Sequence, residues 1–162
     1  MKKLCILLLI VAGFFTSCSN KGSQDNSNTG MSAANHEQAD KKDAVRDGVL
    51  IHITHASDDP HRAVMPLKMA TMMSESKDVL VYLDIKGIEL VLKDAKDVTY
   101  PTFPSAQESL KILIDRGISV YACPGCMKAA GKTVDDLIPG VKMAEKEAFF
   151  TFTKGRIITL DY

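Results

Sequence analysis

The feature that most constrains the fold of this chain is a regular alternation of short apolar runs with helical patterns between residues 47 and 162. The apolar runs, each bounded by turn-forming residues, lie at 49–53, 79–83, 118–122, 141–143 and 157–160. Apolar runs of this length are typical of buried strands. Strands that alternate with helices form a parallel sheet with right-handed crossovers. The sequence therefore predicts a three-layer α/β domain with a mostly parallel five-stranded sheet.

Helix signals separate these runs. We expect helices at about 59–74, where Asp59 is a cap and Pro60 favours the first turn, and at 105–117, where Ser105 begins a capping box. The stretch 87–92 fits either a helix or a strand, and we favour a short helix. The segment 144–153 has two interpretations. It forms either a helix from Ala144 or half of a hairpin that turns at Lys154-Gly155.

A Cys-Pro-Gly-Cys motif follows the third apolar run and opens a short helical stretch. Cys123 takes the cap position and Pro124 the first helical position. The unsatisfied N–H groups at a helix N-terminus stabilise a thiolate and lower its pKa. The two-residue gap also lets Cys126 turn back onto Cys123, so the pair can cycle between dithiol and disulfide. We therefore take Cys123 and Cys126 as candidate catalytic residues.

The ends of parallel strands suggest which residues accompany these cysteines. In a flavodoxin-like strand order, the site forms between the first and third strands. That order would bring the loop after the first strand beside Cys123. We therefore predict a supporting cleft from His55, Ser57 and Asp58, with Lys128 as a cation that could activate the thiolate.

The N-terminal region indicates export. Residues 1–17 combine Lys2 and Lys3 with an apolar run too short to span a membrane, which is typical of a signal peptide. The run ends at Ser17-Cys18, so Cys18 is the predicted lipidation site and membrane anchor. Residues 18–46 are polar and read as a flexible tether. We expect residues 47–162 to form one domain in the periplasm or at the cell surface.

The charge of the chain argues against a nucleic-acid partner. Lys and Arg number 20 and Asp and Glu number 20, which gives a net charge of zero. Binding to nucleic acid needs a basic face, and no basic run stands out. The sequence predicts no cofactor.

Four segments together resemble the DsrE/DsrF-like family. They are DDPHRA at 58–63, VLVYL at 79–83 with Gly87-Ile88 after it, GISVYACPGC at 117–126 and DLIPGV at 136–141. The resemblance implies a flavodoxin-like fold, a homotrimer or hexamer, and a cysteine that accepts sulfur as a persulfide and passes it on. Cys123 matches that cysteine, and Cys126 matches a second one found in part of the family.

The resulting functional hypothesis is a persulfide acceptor that acts outside the inner membrane. Cys123 attacks a small sulfur species or a thiol partner protein, and Cys126 resolves the product. The hypothesis leaves open whether the chain is a sulfurtransferase or a thiol oxidoreductase. An oxidising compartment would close the pair into a disulfide unless a reductant is supplied.

Three alternatives remain open from sequence alone. The first is a thiol-disulfide or peroxide redox protein, because the four-residue motif is typical of that chemistry. The second is a metal-binding lipoprotein with His55, Cys123 and Cys126 as ligands. In the third, the cysteines form a structural disulfide in a carrier protein, although so short a loop would give little entropic stabilisation.

Overall fold

The computed structural model describes residues 45–162, and the predictions for the signal peptide, for Cys18 and for nearly all of the tether lie outside the described residues. Five strands form one sheet: β1 (Gly48–Ile53), β2 (Asp78–Leu83), β3 (Ser119–Ala122), β4 (Val141–Met143) and β5 (Ile157–Asp161). Every neighbouring pair is parallel, and the order is β4-β3-β2-β1-β5. The predicted five-stranded α/β fold is confirmed.

Four α-helices connect the strands: α1 (Pro60–Met73), α2 (Ala106–Asp115), α3 (Pro124–Ala129) and α4 (Ala148–Thr151). Short 3₁₀ helices lie at Gly87–Val91 and Val134–Asp136. The predicted caps form, because the Asp59 side chain accepts the Arg62 N–H at 3.1 Å and Ser105 accepts the Glu108 N–H at 3.2 Å. Within residues 45–162, no helix has the length and apolarity needed to cross a bilayer.

The two faces of the sheet differ in how they are covered. Alternate residues of the strands, such as Ile51, Val81 and Val120, join the buried core together with α1 and α2. The connection from β4 to β5 runs back across the sheet, so its right-handed crossover places α4 on the opposite face. There the ring of Phe149 packs edge-on against Tyr82 at 5.0 Å. This second face is the one that carries the site.

Two details differ from expectation. First, β2 lies between β1 and β3, so the expectation that the first and third strands are neighbours is wrong. Second, residues 149–153 form no hairpin with the fifth strand, since α4 is a single turn and β5 pairs parallel with β1. The helix interpretation of this segment is correct, but the helix begins at Ala148 rather than Ala144.

Candidate active site

The Cys-Pro-Gly-Cys motif joins β3 to α3, as the sequence predicts. Cys123 is the N-cap of α3, and its Sγ accepts the backbone N–H of Cys126 at 3.4 Å. The backbone N–H of Cys123 donates to the carbonyl of Leu83 at 2.9 Å, which ties the motif to the end of β2. Both cysteines are free thiols and half-buried. The pair is therefore held at the carboxyl edge of the sheet and stays open to small reagents.

The two thiols differ in acidity. Burial raises the pKa of Cys123, but hydrogen bonds from the Tyr82 hydroxyl and from backbone N–H groups of the motif outweigh burial and leave the pKa below its usual value. Burial also raises the pKa of Cys126, and there the charge of Cys123 and of Asp84 adds to the increase. Cys123 is consequently the more acidic thiol of the pair.

Ile85 contacts Cys126 through its backbone. Its N–H donates to Cys126 Sγ at 3.1 Å, and its side chain is 63% exposed. Ile85 has a φ of 46°, a left-handed conformation that a β-branched residue rarely adopts. The loop is fixed on both sides, because the Asp84 N–H donates to Ile53 and the Gly87 N–H donates to Thr54, each at 3.2 Å. The fold thus holds a strained residue in contact with the second cysteine.

His52 lies between two carboxylates, on the face of the sheet that carries the cysteines. His52 Nδ1 is 2.7 Å from Asp161 Oδ1, and His52 Nε2 is 2.9 Å from Asp84 Oδ1. Burial lowers the pKa of His52, but the two carboxylates raise it by a larger amount, so the pKa lies above its usual value. The ring also stacks on Tyr82 with a centroid distance of 5.4 Å. His52 therefore links the acidic groups to the tyrosine that contacts Cys123.

The predicted loop residues His55, Ser57 and Asp58 lie at the same sheet edge but follow β1, with β2 between them and Cys123. His55 Nδ1 is 2.9 Å from Asp58 Oδ2 and its Nε2 is 3.4 Å from Arg62 Nη1. Hydrogen bonds from the Ala56 N–H and from His55 lower the pKa of Asp58 to about 2. The polar contacts of this loop are thus made within the loop and with the start of α1. The close cleft with Cys123 depended on neighbouring first and third strands, which the sheet does not have.

The other two predicted residues, Ser57 and Lys128, are exposed on the surface. Ser57 is exposed and lines a cavity of about 300 Å³ whose other walls include Asp94 and Lys132. Lys128 is exposed on α3, and within residues 45–162 its side chain has no hydrogen bond or ion pair with a cysteine. The same part of the chain holds no group of three His, Cys, Asp or Glu side chains arranged to bind a metal ion. The predicted metal alternative with His55, Cys123 and Cys126 is therefore not supported.

Sequence reasoning missed the groups that surround the cysteines, namely Tyr82, Asp84, Ile85, His52 and Asp161. The alternation of side chains along each strand already indicated which of these residues share a face. Side chains alternate between the faces of a strand, so Tyr82 shares its face with Asp84, and Tyr121 shares its face with Cys123. The missing information was the strand order, which makes β2 the neighbour of β3.

A family model and two relatives match most of the domain. The model of the DsrE/DsrF-like family matches residues 47–159. An uncharacterized protein of Methanocaldococcus jannaschii is 32% identical over 103 residues, which cover 63% of this chain and 88% of that protein. An uncharacterized protein of Methanopyrus kandleri is 29% identical over 109 residues, covering 67% and 88%.

Among solved structures, the ychN protein from E. coli is similar with a TM-score of 0.57 and 19% identity. The similarity covers 70% of this chain and 99% of that one, and it supports the fold described above. The family match includes β1 to β4, the first three residues of β5 and both cysteines of the motif. On this evidence, the chain belongs to the DsrE/DsrF-like family.

Proposed function

We propose that this protein accepts sulfane sulfur on Cys123 as a persulfide and that Cys126 resolves it. Family membership suggests a function of the sulfur-relay type. The observation that carries the specific proposal is the asymmetry of the pair: the pKa of Cys123 is lowered and that of Cys126 is raised. A nucleophile and a protonated second thiol in contact are what such a cycle needs.

The chemical steps balance without a cofactor. The Cys123 thiolate attacks the terminal sulfur of a polysulfide donor, the S–S bond of the donor breaks, and the donor leaves as a thiolate that takes a proton from water. A new S–S bond now joins Cys123 to the transferred sulfur. Cys126 then loses its proton, attacks Cys123 Sγ and expels hydrosulfide, which leaves a Cys123–Cys126 disulfide. An external dithiol reduces that disulfide and is itself oxidised.

The setting of this chemistry is also part of the proposal. The signal-like segment 1–17 and Cys18 support export and lipid anchoring, with a tether between the anchor and the domain. Exposed apolar side chains on the domain, such as Phe150 and Ile158, support a homotrimer or hexamer in which neighbouring subunits cover them. The donor is a small sulfur species or a thiol partner protein.

The experiment that tests the function is intact mass spectrometry after exposure to polysulfide. The chain has four cysteines, so Cys5→Ser and Cys18→Ser leave the motif as the sole source of thiols. We expect a gain of whole sulfur atoms that Cys123→Ser abolishes. Cys126→Ser should retain the added sulfur for longer, because the resolving step is lost.

A second function has a specific observation in its favour. The backbone N–H of Cys126 donates to Cys123 Sγ at 3.4 Å, which holds the two residues together in the Cys-x-x-Cys spacing that disulfide oxidoreductases use. If Cys126→Ser, which lacks the resolving thiol, gains no sulfur on Cys123, and the intact pair only loses two hydrogens, reversibly with a dithiol, the protein would be a thiol-disulfide oxidoreductase. That result would contradict sulfur transfer.

A further inference from the structure

We infer that Tyr82 is a catalytic residue of this site, donating a hydrogen bond to the Cys123 sulfur, and that His52 is the positioning residue that holds its ring. The inference rests on the proposed function only in taking Cys123 as the reacting thiol. It names two residues that the cysteine motif does not reveal.

The sheet register brings these groups together. Asp161, His52, Tyr82 and Tyr121 are partners across four adjacent strands and form one row on the second face of the sheet. Cys123 follows Tyr121 by two residues and therefore belongs to the same face, one step nearer the edge. Neighbouring parallel strands lie about 4.8 Å apart, so the long side chain of Tyr82 can reach across to Cys123.

The ring of Tyr82 is held from two sides. His52 stacks on it with an interplanar angle of 28°, and Phe149 of α4 meets it edge-on at 82°. Aromatic contacts of these two kinds favour one ring position over others. The hydroxyl and the Cys123 thiol are near enough that each shifts the pKa of the other, upward for Tyr82 and downward for Cys123. A donor that is already held in place stabilises the thiolate at a smaller entropic cost than a mobile one, because its side chain is already ordered.

His52 is in turn held from two sides by charge. Asp161 and Asp84 face its two ring nitrogens: Nδ1 is hydrogen-bonded to Asp161 Oδ1, and Nε2 lies 2.9 Å from Asp84 Oδ1 as an ion-pair contact without hydrogen-bond geometry. This arrangement fixes the plane of the ring on which Tyr82 stacks. The titratable groups that face the Cys123–Tyr82 pair are thus Cys126 from α3, Asp84 after β2, and His52 with Asp161 from β1 and β5.

Tyr82 acts as a hydrogen-bond donor and not as a base. Burial raises its pKa, and the hydrogen bond and the charge of Cys123 raise it further, so the hydroxyl keeps its proton throughout. In the attack on a polysulfide, negative charge leaves Cys123 for the donor thiolate, which takes its proton from water. Tyr82 increases the fraction of Cys123 present as thiolate before that step. It also favours this sulfur over Cys126, which it does not stabilise.

The test uses the full chain with Cys5→Ser, Cys18→Ser and Cys126→Ser, so that Cys123 is the sole thiol. The rate of alkylation by iodoacetamide is measured from about pH 5 to about pH 10, which spans the usual thiol range. We expect Tyr82→Phe to raise the midpoint and slow alkylation below it roughly tenfold, as for loss of a hydrogen bond to a charged group. Tyr121→Phe, the matched control in the next strand, should keep the parent profile. Equal profiles for parent and Tyr82→Phe, or equal shifts for the two variants, would overturn the inference.

A second variant tests the positioning role. We expect His52→Gln to slow alkylation roughly threefold with Tyr82 present and to have no further effect in Tyr82→Phe, because two residues acting through one contact are not additive. The same decrease in both backgrounds would mean that His52 acts on the thiolate directly, and its positioning role would be rejected. Alkylation needs no sulfur donor. A Tyr82-dependent profile without sulfur uptake would therefore leave this inference standing while the proposed function fails.

Discussion

The backbone N–H of Ile85 donates to Cys126 Sγ at 3.1 Å from a left-handed conformation with a φ of 46°. This conformation costs a β-branched residue about 1–2 kcal/mol, and the cost is met by the contacts that fix the loop. A strained donor therefore holds the thiol that is proposed to resolve the persulfide. The side chain of Ile85 is exposed, so little burial depends on it.

The first prediction concerns this strain. Ile85→Gly should increase the free energy of unfolding by about 0.5–1 kcal/mol, because glycine removes the left-handed penalty and loses only part of the gain to greater freedom in the unfolded chain. Chemical denaturation measures the change. Ile157→Gly, at an exposed isoleucine in the extended β5, is the matched control and should destabilise the fold. A decrease for both variants would show that the conformation at Ile85 is not strained.

The same variant should change the chemistry of the pair. A looser loop holds Cys126 Sγ less firmly, so the Cys123–Cys126 disulfide should form several times faster in air. Mass spectrometry of samples trapped with iodoacetamide follows the loss of free thiol. If Ile85→Gly oxidises at the parent rate, the hydrogen bond has no role in keeping the pair apart.

The second prediction concerns which cysteine reacts first. The pKa of Cys123 is lowered and that of Cys126 is raised from the usual thiol value, so at any pH a larger fraction of Cys123 than of Cys126 is thiolate. Brief treatment with iodoacetamide should label Cys123 in most molecules before Cys126 is modified, as peptide mapping would show. Equal labelling would contradict the assignment of nucleophile and resolving thiol.

The sequence predicted the parts of this site that depend on local chemistry. Pro124 at the first helical position and Cys123 at the cap both follow from preferences of the first helical turn, and these preferences act within a few residues. The strands were predicted for a similar reason, since each apolar run must be buried whatever its neighbours are. These expectations needed no knowledge of the tertiary structure.

Long-range order was not predictable in the same way. The close cleft of His55 with Cys123 required β1 beside β3, but the chain places β2 between them. Strand order depends on which crossovers pack best over the whole sheet. An apolar run alone does not specify which other strand it pairs with. The clamp of His52 by Asp161 joins residues 109 positions apart, so only the parallel register of β1 with β5 reveals it.

The third prediction follows from that clamp. The pKa of His52 is raised in the folded state, so the stability it contributes is fully present below about pH 6.5, the usual histidine value, and is lost as pH rises through the raised folded value. The free energy of unfolding should therefore fall with rising pH in this window, and His52→Gln should flatten the dependence. His61→Gln, whose ring stacks on Tyr100 instead of lying between carboxylates, is the control and should keep the parent slope. An unchanged slope in His52→Gln would show that the clamp adds no pH-dependent stability.

The last prediction concerns Gly87, which closes the loop that carries Ile85. A Cβ at Gly87 would overlap the backbone carbonyl oxygen of Ile53, and backbone atoms at the end of a buried strand cannot move aside as a flexible side chain can. Gly87→Ala should therefore cost about 1–3 kcal/mol of unfolding free energy, as overpacking does in well-packed interiors. Gly125→Ala is the matched control, since its Cβ would lie at an ordinary distance of 3.8 Å from Cys123 Sγ. Chemical denaturation of both variants measures the difference. If Gly87→Ala is as stable as Gly125→Ala, the loop is free to shift away from β1. The rigid support that we assign to Ile85 and Cys126 would then not exist.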